Sequence, residues 1–79
     1  MIDIEFLMKH LLTEDSIACN LKFLYSIITN WAKTISPDLT PRKVYEFYIQ
    51  GKIHNDKTIF FYNFIKIMQW CELNKIYYE

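Results

Sequence analysis

The sequence of 79 residues has very little glycine, arginine, proline or cysteine. A single glycine, Gly51, excludes the glycine-rich loops that hold phosphate groups in nucleotide-binding proteins. Cys19 and Cys71 form no CxxC pair, and two cysteines are too few for a disulfide framework. Neither His10 nor His54 has an acid or a nucleophile at a spacing typical of a catalytic triad or a metal site. We therefore expect no enzymatic activity, no cofactor, no metal and no small-molecule substrate.

A long apolar run and a secretion signal are also missing. No apolar segment approaches the ~20 residues that are needed to span a membrane. Asp3 and Glu5 stand where a secretion signal carries positive charge. Both cysteines lie within apolar stripes, which predicts buried, reduced thiols. Together these features predict a cytoplasmic protein without a membrane partner.

The charges cancel, while the apolar content is high. Nine basic and nine acidic residues give a formal net charge of zero, which argues against non-specific binding to a phosphate backbone but leaves room for a local basic patch. Apolar residues make up 52% of the chain and aromatic residues 18%, although a domain of this size buries only about 60% of its unfolded surface. Two interpretations stay open: the rings fill a compact core, or some remain exposed for a protein partner or for a homodimer.

The spacing of apolar residues predicts one all-α domain over residues 1–79, a compact bundle of about four helices. Thr13 and Thr40 are suited to begin helices, Pro41 suits a first helical position, and Gly51 suits a helix end. In the last helix, Asn63, Lys66, Gln69 and Glu72 are expected toward the polar side. The four predicted helices are Asp3–Leu12, Glu14–Thr34, Pro41–Gln50 and Lys57–Leu73, and Asn55 or Asp56 is expected to cap the last one.

The central residues 44–63 have a second interpretation. The strings VYEFYIQGKI and KTIFFYN are rich in β-branched and aromatic residues, and HND between them can form a turn. The alternative fold is therefore α+β with a hairpin at residues 44–63. The Thr-Pro start and the glycine end favour the helical interpretation.

Residues 40–53, TPRKVYEFYIQGKI, combine a Thr-Pro helix start with a Val-Tyr pair and a Gly-Lys-Ile end. This segment resembles the recognition-helix segment of small helix-turn-helix regulators of the excisionase-like kind. The resemblance implies that the start of the helix enters the major groove of DNA. Pro37 and Asp38 make the preceding turn longer than is usual in that family. The residues then expected to contact bases or phosphates are Lys33, Thr40, Arg42, Lys43 and Lys52.

The surplus of aromatic residues supports a different hypothesis, because large rings are enriched at protein interfaces. It predicts a small regulatory protein that inhibits or modulates a larger protein. An abundance of Ile, Asn, Lys, Phe and Tyr is typical of AT-rich genomes, so we expect a phage, plasmid or bacterial origin. The alternative hypothesis is a dimeric helix-turn-helix transcriptional regulator. The residues expected to bind a protein partner are Tyr45, Tyr62, Trp70 and Tyr77.

Overall fold

The computed structural model of the chain describes residue 6 and residues 8–78, which contain three helices and no strand. Helix α1 spans Glu14–Ile35, α2 spans Pro41–Ile49 and α3 spans Ile59–Leu73. Each helix packs against the other two. None of the helices in this part of the chain has the length and apolar character to cross a bilayer. The all-α class predicted from the sequence is confirmed for these residues.

Three threonines begin the three helices. The hydroxyls of Thr13, Thr40 and Thr58 each accept a hydrogen bond from the backbone N–H three residues later, at 3.1, 3.2 and 3.1 Å. These N–H groups lie in the first helical turn and have no partner within the helix, so each hydroxyl satisfies an otherwise unpaired donor. The caps at the first two helices were predicted from the sequence, and α1 and α2 end within one residue of their predicted ends.

The start of α3 differs from the prediction. The helix begins at Ile59, two residues after Lys57, because Thr58 and neither Asn55 nor Asp56 is its cap. The Asn55 side chain instead accepts from the Lys57 N–H at 2.7 Å, and the Asp56 carboxylate accepts from the Thr58 hydroxyl at 2.6 Å. Lys57 has a φ of 64°, a left-handed conformation that a right-handed helix cannot include.

The hairpin alternative for residues 44–63 is wrong, because residues 44–49 belong to α2 and residues 59–63 to α3. The chain leaves α2 through a Schellman motif: Lys52 N–H donates to the Phe47 carbonyl at 2.9 Å, and Gly51 N–H donates to the Tyr48 carbonyl at 3.1 Å. Gly51 has a φ of 76°, which glycine adopts without steric cost. These bonds satisfy the carbonyl groups at the end of α2, and the loop that follows carries no strand pairing.

The predicted first helix, Asp3–Leu12, lies partly outside the described residues. Phe6 and Met8 are helical, whereas Lys9 and His10 form a turn and a bend and residues 11–13 have no regular structure, so the predicted helix end at Leu12 is wrong. Residues 8–12, which we call the N-terminal strap, cross α3 instead. Their backbone groups bond to α3 and therefore do not continue a helix.

A buried asparagine holds the strap. Asn63 is fully buried in α3, contrary to its predicted place on the polar side. Its Oδ1 accepts from the Leu12 N–H at 3.2 Å, and its Nδ2 donates to the carbonyls of Met8 at 3.1 Å and His10 at 2.7 Å. The Lys66 ammonium donates to the Leu12 carbonyl. Because these bonds satisfy the amide at both ends, its burial carries no unpaired polar atom.

The core lies between α1 and α3. Helix α1 bends at Asn20, where φ is −117° and ψ is 15°, and Trp31 near its other end contacts three α3 rings at centroid distances of 5.0–6.1 Å. Burying each large apolar side chain contributes about 1.5–3 kcal/mol. The buried residues of α1 are Ile17, Leu21, Leu24, Ile28 and Ala32, and those of α3 are Phe61, Asn63, Phe64, Ile65, Ile67, Met68 and Cys71.

The C-terminal tail returns to the bundle. The Tyr25 hydroxyl donates to the Tyr78 carbonyl at 3.0 Å, and their rings lie 4.7 Å apart between centroids. The Arg42 guanidinium lies 4.6 Å from the Tyr77 ring centroid, within the range of a cation–π contact. Both α1 and α2 therefore position the tail.

Candidate functional site

Helix α3 buries one apolar face and exposes further apolar side chains on another. On the uncovered face, Ile59, Tyr62 and Leu73 are 47%, 50% and 82% exposed. Lys66 and Gln69 stand between Tyr62 and Leu73 on the same face. We call these five residues the outer stripe; they are spaced by three, four, three and four residues. This spacing keeps side chains on one line along a helix and is the spacing by which helices pair.

Among the described residues, four surface depressions border the outer stripe, and at least two stripe residues line each of them. Their volumes are about 320, 310, 150 and 210 Å³. Neighbouring depressions share residues, so together they follow α3 along its exposed side. Leu11 lines the depression beside Ile59, and Trp70 lines one beside Leu73. The outer stripe is thus a row of protruding side chains with recesses on both sides.

The structure places three of the four predicted partner-binding residues beside these recesses. Tyr62 belongs to the outer stripe, and the half-buried Trp70 borders it. Tyr45 is only 8% exposed and lines a recess with Glu72. Burial raises the pKa of Tyr45 above its ordinary value of 10.0, and the Glu72 carboxylate adds to the rise by its charge and its hydrogen bond. Most of the Tyr45 ring therefore belongs to the core.

Tyr77, the fourth predicted partner residue, lies under Arg42 and away from these recesses. This contact also directs the Arg42 side chain toward the tail. The ammonium groups of Lys43 and Lys52 lie 6.0 and 5.6 Å from the centroid of the Phe47 ring. Of the five predicted DNA-binding residues, the structure therefore brings these two lysines to one ring.

The two remaining predicted DNA-binding residues have other surroundings. Thr40 caps α2 through its hydroxyl, so this group already accepts a hydrogen bond from the backbone. Lys33 lies exposed in the last turn of α1, where a positive charge is favourable near the negative end of the helix dipole.

The cysteines differ in accessibility. Cys71 is buried as predicted, and burial raises the pKa of its thiol, an effect that the charge of Arg42 partly offsets. The prediction for Cys19 is wrong, because its side chain is exposed. Cys19 follows the buried Ile17 by two positions, which is about 200° around a helix. In the described part of the chain, no three potential metal ligands come together.

Ile59, Leu73 and Leu11 are surface residues of the candidate site that were not predicted from the sequence. The alternation of three- and four-residue spacings from Ile59 to Leu73 was a usable signal, but Lys66 and Gln69 in the middle of it indicated an ordinary polar face. In comparisons with protein-family models, with curated proteins and with solved structures, nothing matches this chain.

Proposed function

We propose that the protein is a small interaction module that binds a helix of a polypeptide partner through the outer stripe of α3. The observation that supports this proposal is the exposure of Ile59, Tyr62 and Leu73 in one line on a helix whose opposite face is already buried. A helix that is apolar on more than one side is expected to be covered on more than one side. Covering apolar surface contributes about 25 cal/mol per Å².

The shape of the surface favours a helical ligand. From Ile59 to Leu73 the outer stripe extends about 21 Å, at ~1.5 Å per residue. Its protruding side chains and the recesses beside them correspond to the knobs and holes of packed helices. From the sequence, the partner is expected to be either a larger protein that the chain modulates or a second copy of the chain, and the contact with it is assigned to α3.

The test is site-specific photo-crosslinking in the native host. The full chain carries a benzophenone amino acid in place of Tyr62, and a control chain carries it in place of Phe23, which is 55% exposed on α1. We expect one discrete polypeptide adduct from position 62 and none of that mass from position 23. Leu73→Lys in the same chain should abolish the adduct, because it places a charge in the outer stripe. Equal crosslinking from both positions, or an adduct unaffected by Leu73→Lys, would show that α3 is not the binding surface.

A second candidate function is DNA binding through α2. It is favoured by the two ammonium groups that flank Phe47, which form a local concentration of positive charge on a neutral protein. Duplex DNA titrated at several salt concentrations tests it, because binding that neutralises phosphates weakens steeply with salt. We expect the double substitution Lys43→Ala and Lys52→Ala to remove most of that binding. Absence of binding by the unaltered protein at low salt would eliminate this function.

A further inference from the structure

The geometry points to a second copy of this chain, docked antiparallel, as the occupant of the outer stripe. This inference rests on the proposed function and names its partner. It starts from Tyr62, Lys66, Gln69 and Leu73, which are separated by four, three and four residues. The chemical types follow the order apolar, polar, polar, apolar. This order and the spacing are both unchanged when the segment is read in the opposite direction. A two-fold interface requires a surface that is complementary to itself in this way.

The antiparallel arrangement gives every residue of this segment a suitable partner. Tyr62 of each copy meets Leu73 of the other, so the two ends are apolar contacts. Lys66 meets Gln69 of the other copy, where the ammonium donates to the amide oxygen. In a parallel arrangement identical residues face each other, and Lys66 would then oppose Lys66. In the antiparallel arrangement the two Lys66 side chains are offset by three residues, about 4.5 Å along the helix axis, so this orientation separates the like charges better than the parallel one.

Charges beside the segment are complementary in the same orientation. Lys66 bonds within its own chain to the neutral Leu12 carbonyl, so its positive charge is not neutralised by that contact. Glu14 lines a recess together with Gln69 and Lys66 of its own copy. Because Lys66 of the second copy arrives opposite Gln69, it comes close to this carboxylate. The two-fold symmetry forms the contact twice.

The surface that such a dimer would bury is small for a permanent dimer. The four paired side chains, with Ile59, Leu11 and Trp70 at the margins, cover on the order of 500 Å² per copy, below the ~800 Å² per partner of a standard interface. We therefore expect a dimer in exchange with monomer, with a Kd on the order of 10–100 μM.

Sedimentation of the full chain from micromolar to millimolar concentration tests the inference. We expect a dimer that weakens at least tenfold in Tyr62→Glu and in Leu73→Lys, whose positions are half exposed or more. Mixing these two variants should restore dimers, because the new carboxylate at position 62 faces the new ammonium at position 73 of the other copy, while the second Tyr62–Leu73 contact is intact. Phe23→Lys is the matched control and should dimerise like the unaltered chain.

Each result has a definite consequence once circular dichroism shows that the variants are folded. A dimer that is unaffected by Leu73→Lys, or a mixture of variants that stays monomeric, overturns the antiparallel pairing. A chain that is monomeric at millimolar concentration overturns the second copy as the occupant. If such a monomer still gives a Leu73-dependent adduct with a different polypeptide from position 62, the proposed function stands without this inference. If this adduct is also missing, the proposed function and the inference of a second copy both fail.

Discussion

Replacing the buried Asn63 by leucine should release the N-terminal strap. The substitution keeps the approximate volume of the side chain and removes its hydrogen bonds to Leu12, Met8 and His10. The Leu12 N–H and the Met8 carbonyl are buried, so each unpaired group costs about 1–3 kcal/mol if it stays dry. The His10 carbonyl is partly exposed and contributes less, because water can replace its partner.

The strap can also leave α3 and become hydrated, which sets an upper limit on the loss. Exposure of Met8 and Leu12 then costs about 1.5–3 kcal/mol each. The freed backbone regains about 1–2 kcal/mol of conformational entropy per residue, which over the five strap residues is at least as large as that cost. The two unpaired buried groups alone would cost about 2–6 kcal/mol, and because release of the strap limits the loss, we expect a net loss of about 3 kcal/mol, in the lower half of that range. A chain of this length has about 4–12 kcal/mol of total stability, so the loss is a quarter of it or more.

Urea unfolding followed by circular dichroism measures this loss. With a slope of about 1–1.5 kcal/mol per M, the midpoint should fall by about 2–3 M. Hydrogen exchange at the Leu12 amide should become fast in the Asn63→Leu variant. The control is Asn30→Leu, an exposed asparagine on α1, which should change stability by less than about 0.5 kcal/mol. A loss below about 1 kcal/mol with a slowly exchanging Leu12 amide would refute the role assigned to Asn63.

Three further results are expected. Cys19 should react with a thiol reagent at once and Cys71 only as the protein unfolds, because Cys71 is buried and its thiol pKa is raised; rapid labelling of both would contradict this placement. Thr58→Ala should cost about 1 kcal/mol in urea unfolding and Thr58→Ser much less, since the hydroxyl caps α3; equal losses would argue against the cap. The raised pKa of Tyr45 favours the neutral phenol in the folded state, so its contribution to stability is complete below pH 10.0 and declines as the pH rises further. Between pH 10 and 11 the Tyr45→Phe variant should therefore lose less stability than the unaltered chain. Identical losses in the two chains would show that ionisation of Tyr45 does not cause the loss of stability at high pH.

The parts of the fold that local chemistry determines could be predicted from the sequence. Thr40 and Pro41 begin α2 and Gly51 ends it, and each acts on backbone groups within a few residues. The start of α3 was harder, because Asn55, Asp56 and Thr58 are all suitable caps. Which of them acts depends on the conformation at Lys57, and that conformation has no signature in residue type.

The strap and the outer stripe depend on contacts between distant residues. Asn63 is a polar residue, so a helical pattern places it on the solvent side. Its burial is favourable only because residues 8–12 supply its hydrogen-bond partners. Lys66 similarly indicated a solvent-facing side, although it is half-buried and its ammonium bonds to the Leu12 carbonyl of the strap. The aromatic surplus left open whether the rings fill the core or stay exposed, and which rings are exposed depends on how the elements cover one another.

Both ends of the described chain are fastened by bonds between residues that are distant in sequence. Leu12 and Met8 bond to Asn63 over separations of 51 and 55 residues, and Tyr25 bonds to Tyr78 over 53. Such contacts close long loops and form late, whereas successive helices meet sooner. Closing such loops costs more conformational entropy than packing successive helices together, so each end is held against a larger entropic cost than the helices are. We therefore expect the two chain ends to open locally before the three helices separate.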